Sequence, residues 1–148
     1  MSAQSPDRAS STSRRVGYAV AVVVNAVLLA LINVAPGWQV LPFLTDAFTE
    51  VLPLVNLSLG ASLLVNVVYL GFDRRWFRAM CEAALAAISL AVSIRMLRVF
   101  PFDFSAYAFD WALLTRIVLW VAILGSAVAV VVWVVQLLRA VVAPASRP

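Results

Sequence analysis

Histidine and lysine are both absent from this chain. Without histidine there is no bis-histidine haem and no Ser–His–Asp triad, and most transition-metal sites are removed as well. Without lysine every positive charge is an arginine, which keeps its proton, so Schiff-base chemistry is excluded. One cysteine, Cys81, leaves no internal disulfide and no CxxC redox pair. Charge is scarce too: 12% of the 148 residues are charged and 64% are hydrophobic, where soluble proteins carry roughly a quarter charged residues. With a mean hydropathy of +1.00, most of the chain is dissolved in lipid. The net charge of +4 comes from arginines that punctuate apolar runs. They read as membrane-topology signals, and no nucleic-acid partner is expected.

What is present is a succession of long uncharged stretches. "MSAQSPDRASSTSRR" (1–15) is Ser-rich and poor in apolar residues, which predicts a disordered cytoplasmic tail. "VGYAVAVVVNAVLLALINVA" (16–35) is long enough to cross about 30 Å of hydrocarbon. It is read as an anchor, since the run exceeds a signal-peptide core and Pro36 sits where cleavage would fall. "PGWQVLPFLTDAFTE" (36–50) brings a helix break and an interfacial Trp38. From Pro42 it predicts a short interfacial helix with Leu44, Phe48, Val51 and Leu52 on one face and Asp46 and Glu50 on another. The second span covers 51–72, with Pro53 expected to kink its first turn. It stops at the basic "DRRWFR" (73–78).

Spans three (77–100) and four (112–138) complete an all-α, four-span transmembrane bundle over 16–139, and 140–148 is a short tail. Span three is the weakest, because its uncharged centre, Ala83–Ile94, also suits a re-entrant segment. Arginine bookkeeping favours a full crossing. Arg8, Arg14, Arg15, Arg74, Arg75, Arg78, Arg139 and Arg147 then lie inside, and only Arg95, Arg98 and Arg116 lie outside. Both termini are thereby expected in the cytoplasm.

Few polar groups fall within the spans. Glu82 shares a helical stripe with Ser89 and Ser93, which suggests a proton- or cation-handling carboxylate. The plainer expectation is an i,i+4 ion pair with Arg78 at the interface. Ser58, Ser62 and Asn66 form a second strip, and Asn25 lies mid-span; such groups ordinarily hydrogen-bond between helices. Small residues four apart (Ala79, Ala83, Ala87 and Ala91; Ala122 and Ser126; Gly125 and Ala129) predict close helix approach within the bundle or between copies. Cys81 is expected as a small buried residue rather than an acylation site.

"RMLRVFPFDFSAYAFDW" (95–111) joins spans three and four. With Asp46, Glu50, Asp103 and Asp110 set against Arg95, Arg98 and Arg116, it predicts an outer ion-pair lattice, or alternatively an anion site built from the three arginines. A voltage sensor would need more arginines along one helix.

"NVAPGWQVLPFLT", "VLPLVNLSL" and "VFPFDF" resemble stretches of uncharacterised small four-span membrane proteins of high-GC actinobacteria, over most of 15–140. The resemblance implies a multi-pass protein of the bacterial plasma membrane and brings no catalytic residue with it. No nucleotide, metal or nucleophile motif is present, so the expectation is a non-enzyme without cofactor. Its partners would be the bilayer and a homo-oligomer or larger membrane complex. The role expected is a scaffold or accessory subunit, and the alternative is a small transporter or channel using Glu82 or the outer arginines. Four-span drug/proton exporters compare in size only, since their essential carboxylate lies in the first span, where this chain has none.

Overall fold

The computed structural model describes residues 6–142. Four α-helices follow one another: α1 (Pro6–Asn33), α2 (Leu52–Gly71), α3 (Arg75–Val99) and α4 (Trp111–Val142). The described residues include no strand; two short 3₁₀ turns, Trp38–Val40 and Asp46–Glu50, lie between α1 and α2. Each α-helix has the length and apolarity to cross a membrane. Even the shortest, α2 with 20 residues, spans about 30 Å at 1.5 Å per residue. The chain is therefore an all-helical membrane protein with four spans, and α3 is one continuous helix of 25 residues, not a re-entrant fragment.

Three boundaries depart from the sequence reading. α1 begins at Pro6, so residues 6–15, expected to be disordered, are helical. Once a long apolar helix exists, adding a turn costs little, and proline suits a first helical position. Residues 1–5 of that tail, and 143–148 of the C-terminal one, lie outside the described residues. The amphipathic helix expected from Pro42 is reduced to the 3₁₀ turn Asp46–Glu50. There the amides of Phe48 and Val51 donate to Thr45 and Phe48 three residues back, which tightens the chain straight into α2. Pro53 falls in the first turn of α2, where a missing N–H breaks no ladder, so it opens the helix instead of kinking it.

Helix ends are set by local chemistry. Beyond Asn33 the amides of Val34 and Ala35 both reach back to the Ala30 carbonyl, and that of Gly37 to Leu31. Gly37 has φ +84°, and a β-carbon there would meet Gln39 Oε1 at 2.6 Å; this position needs glycine. α3 stops at Phe100, which is left-handed at φ 43° and immediately precedes Pro101. Asp110 caps α4: its Oδ1 accepts the Leu113 amide at 2.9 Å.

Packing follows chain order. α1 lies on α2, α2 on α3 and α3 on α4, with the two hairpins α1–α2 and α3–α4 extensive and the α2–α3 seam narrower; α1 and α4 do not touch. No residue of α4 is buried, and neither is any in the apolar stretch of α1. The faces these helices show outward, such as Val20 and Val23 or Val121, Leu124 and Val128, are more than half exposed. Such faces suit hydrocarbon or another helix.

Polar side chains act as rivets along the seams. Asn33 and Asn56 exchange amide hydrogen bonds, both 2.8 Å, across α1 and α2. Asn25 Nδ2 donates to Ser62 Oγ at 3.2 Å across the same pair of helices, and Ser126 Oγ to Ser89 Oγ at 3.2 Å across α4 and α3. Asn66 turns back to the Ser62 carbonyl on its own helix. A double-mutant cycle of Asn33→Ala and Asn56→Ala, measured by unfolding in mixed micelles, is expected to give a coupling of about 0.6–1.7 kcal/mol. Strict additivity would show that the reciprocal pair holds nothing.

Candidate functional site

The two loops at one end of the bundle, 34–51 and 100–110, fold together into a cap. Thr45 N–H donates to the Pro101 carbonyl at 3.0 Å, and Asp103 N–H donates to the Phe43 carbonyl at 2.9 Å. These bonds flank an antiparallel bridge between Leu44 and Phe102. Beneath it lies the best-packed part of the molecule. Val51 and Pro101 are fully buried, and Trp38 and Phe48 nearly so, their rings 5.4 Å apart. Across the top, Phe43 and Phe102 each stack on Phe104, at 5.9 and 5.8 Å. Offset ring pairs of this kind add to the area they bury.

The charged residues expected here as a lattice take separate partners. Arg95 Nη2 meets Glu50 Oε2 at 3.1 Å, the one ion pair among the described residues, and both side chains are about half exposed. An exposed pair of this kind contributes only about 0–1 kcal/mol. Arg116 lays its guanidinium over the Phe100 ring at 4.6 Å, a cation–π contact. Arg98 forms no ion pair among the described residues. Asp103 Oδ1 accepts the Ser105 amide at 2.9 Å, and that bond holds its carboxyl below the ordinary carboxylate value. Asp110 is occupied as the cap of α4, and Thr49 Oγ1 bonds the backbone carbonyl of Asp46, not its carboxylate. The reason is local: an aspartate beside its own free amides captures them before it reaches an arginine on another element. Arg95 and Arg116 thus have different partners, a carboxylate and a ring face.

At the opposite, basic end, Glu82 is arranged differently from expectation. It forms no ion pair with Arg78. The hydroxyl of Tyr69, a residue 3% exposed, lies between them instead, 3.3 Å from Glu82 Oε1 and 3.3 Å from the Arg78 carbonyl. Its single proton serves one acceptor at a time. The Tyr69 ring packs on Tyr18 at 5.2 Å and edge-on to Phe77 at 6.4 Å, while the Tyr18 hydroxyl donates to Asp73 at 3.1 Å. Arg78 Nε is buried with no hydrogen-bond partner. Cys81 beside this cluster is buried, as a small packing residue should be. Ser89, expected to continue a polar ladder from Glu82, is taken by Ser126.

Two features escaped the sequence reading. The Asn33–Asn56 pair was legible only as two polar residues at span ends. Tyr69 read as part of an apolar run, though a tyrosine one turn from a helix end and near an acid is the signal that finds it. Gly125, expected at a close helix approach within the bundle or between copies, makes none within this chain: a β-carbon there would meet nothing within 4 Å. No group of three or more metal-ligating side chains occurs among the described residues. Compared with known proteins, the chain matches no family model, no curated protein and no solved structure.

Proposed function

We propose that this protein is a non-catalytic membrane scaffold or accessory subunit that works by packing its helices against other helices in a bacterial plasma membrane, with both termini in the cytoplasm. The observation that carries the reading is the state of α4. Among the helices it packs only on α3, it buries none of its 32 residues, and it carries Gly125 on a face with nothing within 4 Å. Small residues in apolar helices permit backbone approach, and here that capacity points away from the chain's own bundle. The interior polar side chains, meanwhile, pair mainly with one another across the seams, which suits a fastened structure better than a water-filled path.

Gly125→Leu is the test. Since nothing inside the chain is displaced, the variant is expected to melt at or above the wild-type temperature while losing association, read by cysteine-free crosslinking and native mass spectrometry from nanodiscs. Unchanged association would remove the α4 face from the proposal. A second reading, a small transporter, draws on the Asp73, Tyr18, Tyr69 and Glu82 cluster at the basic end. It requires proton-coupled flux in liposomes that Glu82→Gln abolishes; on the scaffold reading, liposomes with and without protein leak alike.

A further inference from the structure

Two concavities adjoin on the cap. The first, ≈ 420 Å³, is walled by Phe43, Phe102, Phe104, Tyr107 and Trp111, with Thr115 at its base. The second, ≈ 500 Å³, shares four of those rings and adds Asp103 and Asp110 to its wall. Phe102, Phe104, Tyr107 and Trp111 line both, so the two share an aromatic wall: an apolar trough beside a hollow that carries two carboxylates. No arginine lines either part. The trough is of the size that small-molecule sites use, mostly apolar with a few polar groups at one edge.

The charge of the groove is one-sided for local reasons. Arg95 is held by Glu50 and Arg116 by the Phe100 ring, and Arg98 lines neither concavity. Asp103 and Asp110 each use Oδ1 to accept a backbone amide, Ser105 and Leu113 respectively, neither pairs with an arginine among the described residues, and both are exposed at the groove wall. Ring faces carry negative electrostatic potential and attract cations, most strongly when the cation is poorly hydrated, as quaternary ammonium is. The hairpin already seats one of its own cations in this manner, Arg116 on Phe100.

The geometry points to a binding site for a monocationic amphiphile: an organic ammonium whose apolar body lies in the trough and whose head rests between the ring faces and Asp103 and Asp110. The occupant is a free cation, not a zwitterionic phospholipid. A phospholipid would bring its phosphate against two carboxylates with no arginine in the wall to receive it. This site stands independently of the scaffold reading, since nothing in it involves the open face of α4.

The test uses the full chain in phosphatidylcholine nanodiscs and equilibrium dialysis of three amphiphiles with one tail and different heads: decyltrimethylammonium, decyl sulfate and decylphosphocholine, each below its micellar concentration. Partitioning into empty nanodiscs is subtracted. Saturable excess binding, about one per chain, is expected for the ammonium and not for the other two. Replacing both acids, Asp103→Asn with Asp110→Asn, keeps an oxygen for each backbone amide and removes only the charge. Affinity for the ammonium is then expected to fall about tenfold or more. The proposal is overturned by an absent excess for the ammonium, by an equal excess for sulfate or phosphocholine, or by undiminished affinity in a folded double variant. The head-group comparison is made on the unaltered chain, so it remains decisive even where the double variant does not fold.

Discussion

Phe48→Ala is expected to destabilise the chain by about 3 kcal/mol, the loss typical of emptying a buried ring site. Phe48 is 6% exposed and faces Trp38, itself 8% exposed. Its 3₁₀ turn contacts both α2 and α3, so a cavity there loosens two helices together. The lipid-facing valines offer a contrast: removing a methyl from Val121 or Val128 leaves hydrocarbon to fill the space, whereas the cap has no solvent that can repack. Thermal unfolding in a mild detergent, followed by tryptophan emission and circular dichroism, measures the effect. A change below about 1 kcal/mol would mean that the cap is an ornament on a bundle held elsewhere.

Comparable in size is the effect expected at the other end. Tyr69→Ala removes a ring packed on Tyr18 and Phe77 together with the hydroxyl beside Glu82, and about 3–4 kcal/mol should be lost. Tyr69→Phe keeps the ring and takes only the hydroxyl, so about 1–1.5 kcal/mol is expected. The two variants divide packing from hydrogen bonding, and a Tyr69→Phe loss equal to that of Tyr69→Ala would show that the hydroxyl alone holds α2 to α3. Pairing Tyr69→Phe with Glu82→Gln in a cycle then reads the coupling of the two groups directly.

How much of this was legible beforehand depends on the range of the forces involved. The four spans follow from uncharged length alone, and Pro36, Pro101 and the "DRRWFR" turn mark ends that any backbone must respect. Asn25 and the Ser58, Ser62 and Asn66 strip were expected to bond between helices because a polar group in hydrocarbon needs a partner, and Asn25 does so with Ser62 while Asn66 bonds its own helix. The charge cluster was less readable. Its residues were expected to pair as a lattice, yet pairing is decided over a few ångströms, where the Ser105 and Leu113 amides outcompete a guanidinium on another helix. Glu82 shows the same limit, since Tyr69 comes from a different helix and no spacing within α3 foretells it. The cap core was legible as aromatic composition but not as a fold, for the bridge that builds it joins segments on either side of two helices.

That bridge also works as a parity mark. Thr45 bonded to Pro101, and Asp103 to Phe43, can form only with the loop after the first crossing and the loop after the third on one face of the membrane. An even number of crossings must separate them, so if α2 crosses, as its 20 apolar residues allow, α3 must cross as well. Had α3 dipped in and returned, the two loops would be stranded on opposite faces with the whole hydrocarbon layer between their amides and carbonyls. Two backbone hydrogen bonds thus certify the evenness of the path between them, independently of where any arginine sits.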